Sequence, residues 1–294
     1  MSGASSGTPR GAAMSRRELL RLLGAAAALP VTSALAGFGA PRGAIAPLGI
    51  QLYTVRSALA RDAAATLAAL AGIGYREVEL AGMHGLSARD FRALLDRNGL
   101  AAPSSHVGLD ALGAAHRART FDDAATLGNR WLVCPWLDPK ERTADGYRRA
   151  AAALNDAAAA ARGHGIRIAY HNHDFEHAPL ADAGGRTGYD LLLAECDPSL
   201  VAMEMDLYWM VKGGRDPVAY FERFPGRFPL VHAKDMARDG TMVDVGAGTI
   251  DFARILRHAG QAGIRHWFVE HDDPASPLAS ARASYEYLTK LRGG

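Results

Sequence analysis

Cysteine is nearly absent. Cys134 and Cys196 are the only two in 294 residues, too few for a disulfide framework and not at metal-finger spacing, so any metal ion here must use His, Asp and Glu. Net charge is scarce too. Thirty-three Lys+Arg against 31 Asp+Glu leave a formal +2, and no global field draws the chain to nucleic acid or to a membrane surface. A Gly-rich first turn of the dinucleotide-binding kind is missing, and no Gly-rich loop or Arg pair stands out as a phosphate cradle. What the chain has is apolar substance: 49% hydrophobic and 22% charged residues exclude disorder and collagen-like structure and suffice for one large domain or two ordinary ones.

The first 36 residues read as an export leader. Ser15-Arg16-Arg17-Glu18-Leu19-Leu20-Arg21, a mostly apolar stretch from Leu22 to Pro30, and the small-x-small sequence Ala34-Leu35-Ala36 follow one another in the order of a cleavable signal, similar to the twin-arginine type. The apolar part is too short for a permanent membrane anchor. The alternative is an amphipathic N-terminal helix that stays on the protein. The leader holds four Arg and one Glu, so its removal turns the formal +2 into −1. Residues 37–47 are then a linker and 48–294 a domain, with a periplasmic or secreted location expected.

From Leu48 onward, short apolar runs alternate with Ala/Leu/Arg-rich stretches of helical period. Eight runs are counted: Leu48 to Val55, Tyr75 to Leu80, Ala102 to Val107, Trp131 to Trp136, Arg167 to His173, Val201 to Trp209, Phe228 to Asp235 and His266 to His271. Helices are expected at about 59–72, 87–98, 111–127, 140–163, 186–195, 214–223, 250–262 and 276–291, with Ser87 as a start signal and Gly74, Gly99, Gly165 and Gly263 as stops. Eight strands alternating with eight helices predict an α/β fold, a single (β/α)8 TIM barrel. Such barrels carry their chemistry at the C-terminal strand ends, and nearly every run here closes on ionisable residues: Glu79, His106, His171 with His173, Asp206, His232 with Lys234, and Glu270. Burying these unpaired would cost several kcal/mol each.

Alternation along each strand separates inward from outward positions. In the fifth run Ile168 and Tyr170 face the helices, leaving His171 and His173 inward. In the sixth, Met203 and Met205 face out while Glu204 and Asp206 face in. His232, Lys234 and Glu270 follow by the same parity. A strand-five histidine, Asp206, His232 and Glu270 therefore converge, a donor set suited to Mn2+, Co2+, Zn2+ or Mg2+ with open positions for substrate oxygens. Glu204, one layer deeper, reads as a supporting partner. Trp136 and Trp209 at strand ends are candidates to stack on a sugar face, while Trp131, Trp267 and Cys134 read as core. A hydrogen-bonded rim histidine or a salt-bridged carboxylate layer is the competing account of these residues.

The segments Tyr170-His171-Asn172-His173-Asp174-Phe175-Glu176, Glu204 to Trp209, Val231 to Asp235, Val245 to Phe252 and Val269-Glu270-His271 resemble signatures of the xylose isomerase-like TIM barrels, specifically the sugar phosphate isomerase/epimerase group. The resemblance spans the chain after the leader. In the ketose 3-epimerases of that group the metal is held by Glu, Asp, His and Glu on strands five to eight. Asp206, His232 and Glu270 match, whereas His171 and His173 replace the strand-five glutamate, one of the two acid/base groups of a symmetrical epimerase. The resemblance further implies that Glu176 contacts sugar and that the protein dimerises. Glu79, His106, Trp136, Glu176, Trp209 and Lys234 are the expected substrate contacts, with Glu270, His173 and Lys234 as catalytic groups.

The implied reaction removes a proton next to a carbonyl of a keto-sugar. An ion on the carbonyl and neighbouring hydroxyl steadies the enediolate while a side chain takes the proton. Isomerisation, epimerisation or loss of a β-substituent can follow, and the fold does not choose among them. Export of the protein favours an unphosphorylated or oxidised sugar, with 3-keto-glycoside cleavage by β-elimination as the alternative to isomerisation. A non-catalytic carbohydrate-binding barrel is a second alternative. DNA-repair endonucleases share this superfamily, and the lack of basic charge speaks against that activity.

Overall fold

The structure is a computed structural model that describes residues 47–293 together with Gly3. The expected leader (1–36) and nearly all of the linker lie outside the described residues. Eight parallel strands close a barrel. They are β1 (Leu48–Gln51), β2 (Glu77–Leu80), β3 (Ala101–His106), β4 (Trp131–Cys134), β5 (Arg167–His171), β6 (Val201–Asp206), β7 (Leu230–Ala233) and β8 (His266–Val269). Each strand pairs with its sequence neighbours and β8 closes on β1, as right-handed βα units require. The expected (β/α)8 architecture is what forms.

The helices follow the expected order with finer breaks. The first is split at Asp62, which ends one short helix and accepts from the Ala65 amide as the cap of the next. Ser87 caps Ala88–Arg97 through the Asp90 amide. Gly165 and Gly263 take left-handed conformations behind their helices. Two elements depart from expectation. Leu207 to Trp209, read as the tail of a strand, open a helix (Leu207–Lys212), because Asp206 accepts from the Trp209 amide and so starts one. A two-stranded ribbon, Asp235–Met236 with Met242–Val243, sits after β7. Among the described residues no helix is long and apolar enough to cross a membrane.

Parity holds where it was applied. Ile168, Tyr170, Met203, Met205, Val231, Ala233, Trp267 and Val269 join the core between barrel and helices, while Trp131, Val133, Ala169, Ala202, Leu230 and Phe268 form a separate apolar cluster inside the bore. Gly49 makes room for that plug, since a Cβ there would lie 2.4 Å from the Phe268 ring. Above it the interior turns polar, and register decides which groups meet. Glu79 pairs across from Gln51 and Ser104, His171 from Glu204, and Asp206 from His232.

Candidate active site

The fifth-strand motif can be followed atom by atom. Tyr170 points outward, and its hydroxyl donates to Glu176 Oε1 at 2.6 Å. The His173 amide donates to Glu176 Oε2 at 2.7 Å, and Asn172 Oδ1 accepts from the Asp206 amide at 3.0 Å. These bonds tie the end of β5 to β6 and present His171 and His173 to the cavity above the barrel. Glu176, expected to touch sugar, is fully buried and spends both oxygens on this scaffold, so it lies outside the cavity lining. Burial pushes its carboxyl up to about 7, against the Tyr170 and His173 bonds that favour the charged form.

That cavity has a volume of about 800 Å³ and opens at the C-terminal ends of the strands, where the fold places its chemistry. Its floor holds His106, His171, Lys234 and Glu270. Its wall holds His173, Trp136, Phe175 and Trp209. Arg142 stacks on Phe175 and Trp136, 3.4 and 4.4 Å from the ring centroids, making a flat apolar and cationic surface. Trp136, 49% exposed, is free to stack on a ligand, as expected from its strand-end position. Phe175 and Arg142 were not anticipated, since neither ends a strand and the fold alone brings them here.

Beneath the cavity, carboxylates and imidazoles interlock. His232, wholly buried, has Nδ1 2.6 Å from Glu270 Oε2 and Nε2 2.6 Å from Glu79 Oε2. His106 Nε2 lies 2.8 Å from Glu204 Oε2 and 3.1 Å from Glu79 Oε2, and His171 Nδ1 lies 3.2 Å from Glu204 Oε2. Gln51 donates to Glu79 Oε2 at 2.8 Å, and the Ser104 hydroxyl donates to Glu79 Oε1. Glu79, an expected substrate contact, is therefore buried under the imidazoles and does not line the cavity. The inward set on β2 is what placed it there.

Lys234 is buried against three carboxylates, with Nζ 3.1 Å from Asp206 Oδ2, 2.8 Å from Glu270 Oε2 and 2.7 Å from Asp272 Oδ1. Desolvation alone would lower its pKa, but these neighbours hold it above the usual lysine range. Burial raises the Glu270 carboxyl less than Lys234 and His232 lower it, so it stays well below the ordinary range and ionised. Burial lifts Asp206 to about 6 despite Lys234. Burial also lowers His171 and takes His173 down to about 3, keeping both imidazoles neutral.

Two overlapping donor groups could take a metal ion: His106, His171, Glu204 and His232, and Asp206, His232 and Glu270. His171 belongs to the first and His173 to neither, which separates the two strand-five histidines. Glu204, read from sequence as a supporting partner, stands among the donors. The Glu204-Met205-Asp206 alternation carried that signal, but the depth of Glu204 hid it.

The sequence pattern of the Xylose isomerase-like TIM barrel family matches residues 67–291. The chain belongs to that family, whose members are enzymes. An inosose dehydratase of Geobacillus kaustophilus (strain HTA426) is 24% identical over 276 residues, 76% of this chain and 86% of the relative. A sugar phosphate isomerase/epimerase of Parabacteroides distasonis ATCC 8503 superposes with a TM-score of 0.74 at 29% identity, over 83% of this chain and 97% of that one. A xylose isomerase-like TIM barrel protein of Mycobacterium smegmatis, solved in complex with magnesium, shares the fold at a TM-score of 0.62 and 16% identity, over 84% and 96% of the two chains.

Proposed function

We propose that this enzyme removes the proton beside the carbonyl of an oxidised sugar or cyclitol and expels the oxygen substituent on the next carbon, a metal-assisted β-elimination. The observation that carries this reading is the 2.8 Å contact of Lys234 with Glu270 at the cavity floor, which sets a base and a cation side by side on one face. The Glu270 carboxylate takes the proton as the carbon–carbon double bond forms. Lys234 hydrogen-bonds the departing oxygen as the C–O bond breaks, and protonated Glu270 returns the proton to it from the same side. Trp136, Phe175 and Trp209 cover the sugar face and thin out water, strengthening both interactions.

The donor set fits a divalent ion. Glu204 Oε1 is a buried carboxylate oxygen with no hydrogen-bond partner, and the buried Asp206 Oδ2 has the Lys234 ammonium at 3.1 Å with the imidazole nitrogens of His171 and His232 at 3.8 and 3.9 Å. The residues that would hold it are those of the two donor groups sharing His232. When bound, the ion supplies Lewis acidity toward a carbonyl and its neighbouring hydroxyl. The relative named a dehydratase and the fold neighbour solved with magnesium support this reading.

Epimerisation or isomerisation is the second reading, favoured by His173, a neutral imidazole on the wall whose Nδ1 has no partner and could return a proton from another side. Incubation with inosose and with a 3-keto-glucoside in D2O, followed by NMR, separates the two. Elimination yields product lacking the β-oxygen substituent, and Lys234→Met slows that step by about 10²-fold or more while exchange at the acidic carbon persists. Deuterated, configurationally inverted substrate with no elimination product assigns the second reading. Residues 1–36 are further proposed to act as a twin-arginine export signal. Substituting Lys for both Arg16 and Arg17 is expected to leave the protein inside the cell, and undiminished export would refute this.

A further inference from the structure

We propose that the closed end of the barrel, opposite the cavity, docks on an anionic phospholipid surface through a field of arginines, leaving the cavity open to solution. This surface lies away from the chemistry proposed above and does not depend on it.

Parallel strands all begin at one end of a barrel, so whatever introduces them is gathered there. Arg76, Arg130, Arg167, Arg227 and Arg265 open or lead into β2, β4, β5, β7 and β8. The helices return the chain to the same end. Ala88–Arg97, Pro217–Arg223 and Phe252–Arg257 finish on an arginine, and Arg162 follows Ala144–Ala161. All of these arginines except Arg227 are exposed. Among the described residues none of them forms an ion pair, whereas Arg117, Arg148, Arg149 and Arg254 do.

A helix C-terminus favours arginine on its own account. Arg130, Arg167 and Arg265 stand at strand entries instead. Burial and then the like charge of Arg265 lower the Arg167 pKa, so these cations face one another with no acid between them. Of the acids nearest this end, Glu77, Asp96 and Glu195 are held by His266, Arg92 and Arg148, which leaves Asp197 and Glu222.

The near-neutral total conceals this arrangement, because acids gather at the other end. Asp174 and Asp272 line the cavity there, and Asp216 and Asp251 cap helices. A flat anionic sheet meets the arginines without meeting those acids, whereas a long polyanion wrapping the molecule meets both. Guanidinium forks also match phosphate oxygens in pairs. β1 begins at the arginine end too, so the chain before Leu48, with its apolar Leu22 to Pro30 stretch, joins the barrel there.

Cosedimentation of the full chain with vesicles tests the assignment. Binding to equimolar phosphatidylglycerol and phosphatidylcholine is expected, at least about tenfold weaker with phosphatidylcholine alone or in about 0.5 M salt. Absent binding, or equal binding to both vesicles, would overturn the proposal, as would tighter binding to a DNA duplex at the same phosphate concentration. Arg130→Glu combined with Arg265→Glu, checked for folding by its melting curve, retains residues 1–36 and so separates this face from the leader. The paired substitution is expected to weaken binding to the anionic vesicles at least about tenfold. Unchanged binding by the folded variant would place the contact elsewhere on the chain and refute the docking face.

Discussion

Glu176 shows how a motif residue acts when it is not at the reaction. Its raised carboxyl, about 7 against an ordinary 4.5, means the folded state binds a proton more tightly than the unfolded chain does. The resulting stability is complete below the unfolded value and is lost as pH rises through about 7, a change on the order of 3 kcal/mol at most. Glu176→Gln keeps an acceptor for the His173 amide and cannot ionise. Thermal melts of this variant are expected to lose the decline between pH 5 and pH 8 that the parent shows; an identical decline in both would assign the pH dependence elsewhere. At the catalytic position, Glu270→Gln keeps the shape of the floor and removes the base. Equilibrium binding of sugar is expected to survive while turnover falls by about 10²-fold or more, and retained turnover would point to another base.

Elements explain why the recurring segments have their compositions. After β7, Asp235 accepts from the amides of Gly246, Gly248, Ile250 and Met236 at 2.8 to 3.1 Å, folding Val245 to Phe252 around one buried carboxylate. A Cβ at Gly248 would lie 2.3 Å from Asp235 Oδ1 and 2.6 Å from the Met236 carbonyl. Gly248→Ala is therefore expected to cost about 2 kcal/mol or more in denaturant unfolding, and a cost below half of that would contradict the loop account. Strand parity and the closing residues of the runs were legible in sequence because the side-chain period of two is strict. The helix at Leu207–Lys212 was not, since its apolar residues continue the run of β6 and only the Asp206 cap breaks it. The seating of Glu79 and Glu176 was hidden for a related reason: a polar residue closing a run looks alike whether it faces the cavity or lies beneath it.

At the scale of the whole molecule, the barrel places its surplus of buried carboxylates where protons or a cation must answer them. In the ion-free protein His106 is raised to about 9, because Glu79 and Glu204 outweigh the burial that would lower it. Its contribution to stability is complete below its ordinary 6.5 and vanishes as pH rises through about 9. Chelated protein is thus expected to lose melting temperature over that window, while loaded protein, with the cation replacing the proton, is expected to stay level. Matching profiles would show that no ion competes for these groups. The most direct measurement joins elemental analysis to proton exchange at the carbon beside a keto-sugar carbonyl. Freshly purified protein is predicted to carry a stoichiometric divalent ion, to lose exchange on exhaustive chelation and to regain it with Mn2+, Zn2+ or Mg2+. Undiminished exchange by chelated protein with no bound ion would contradict the account.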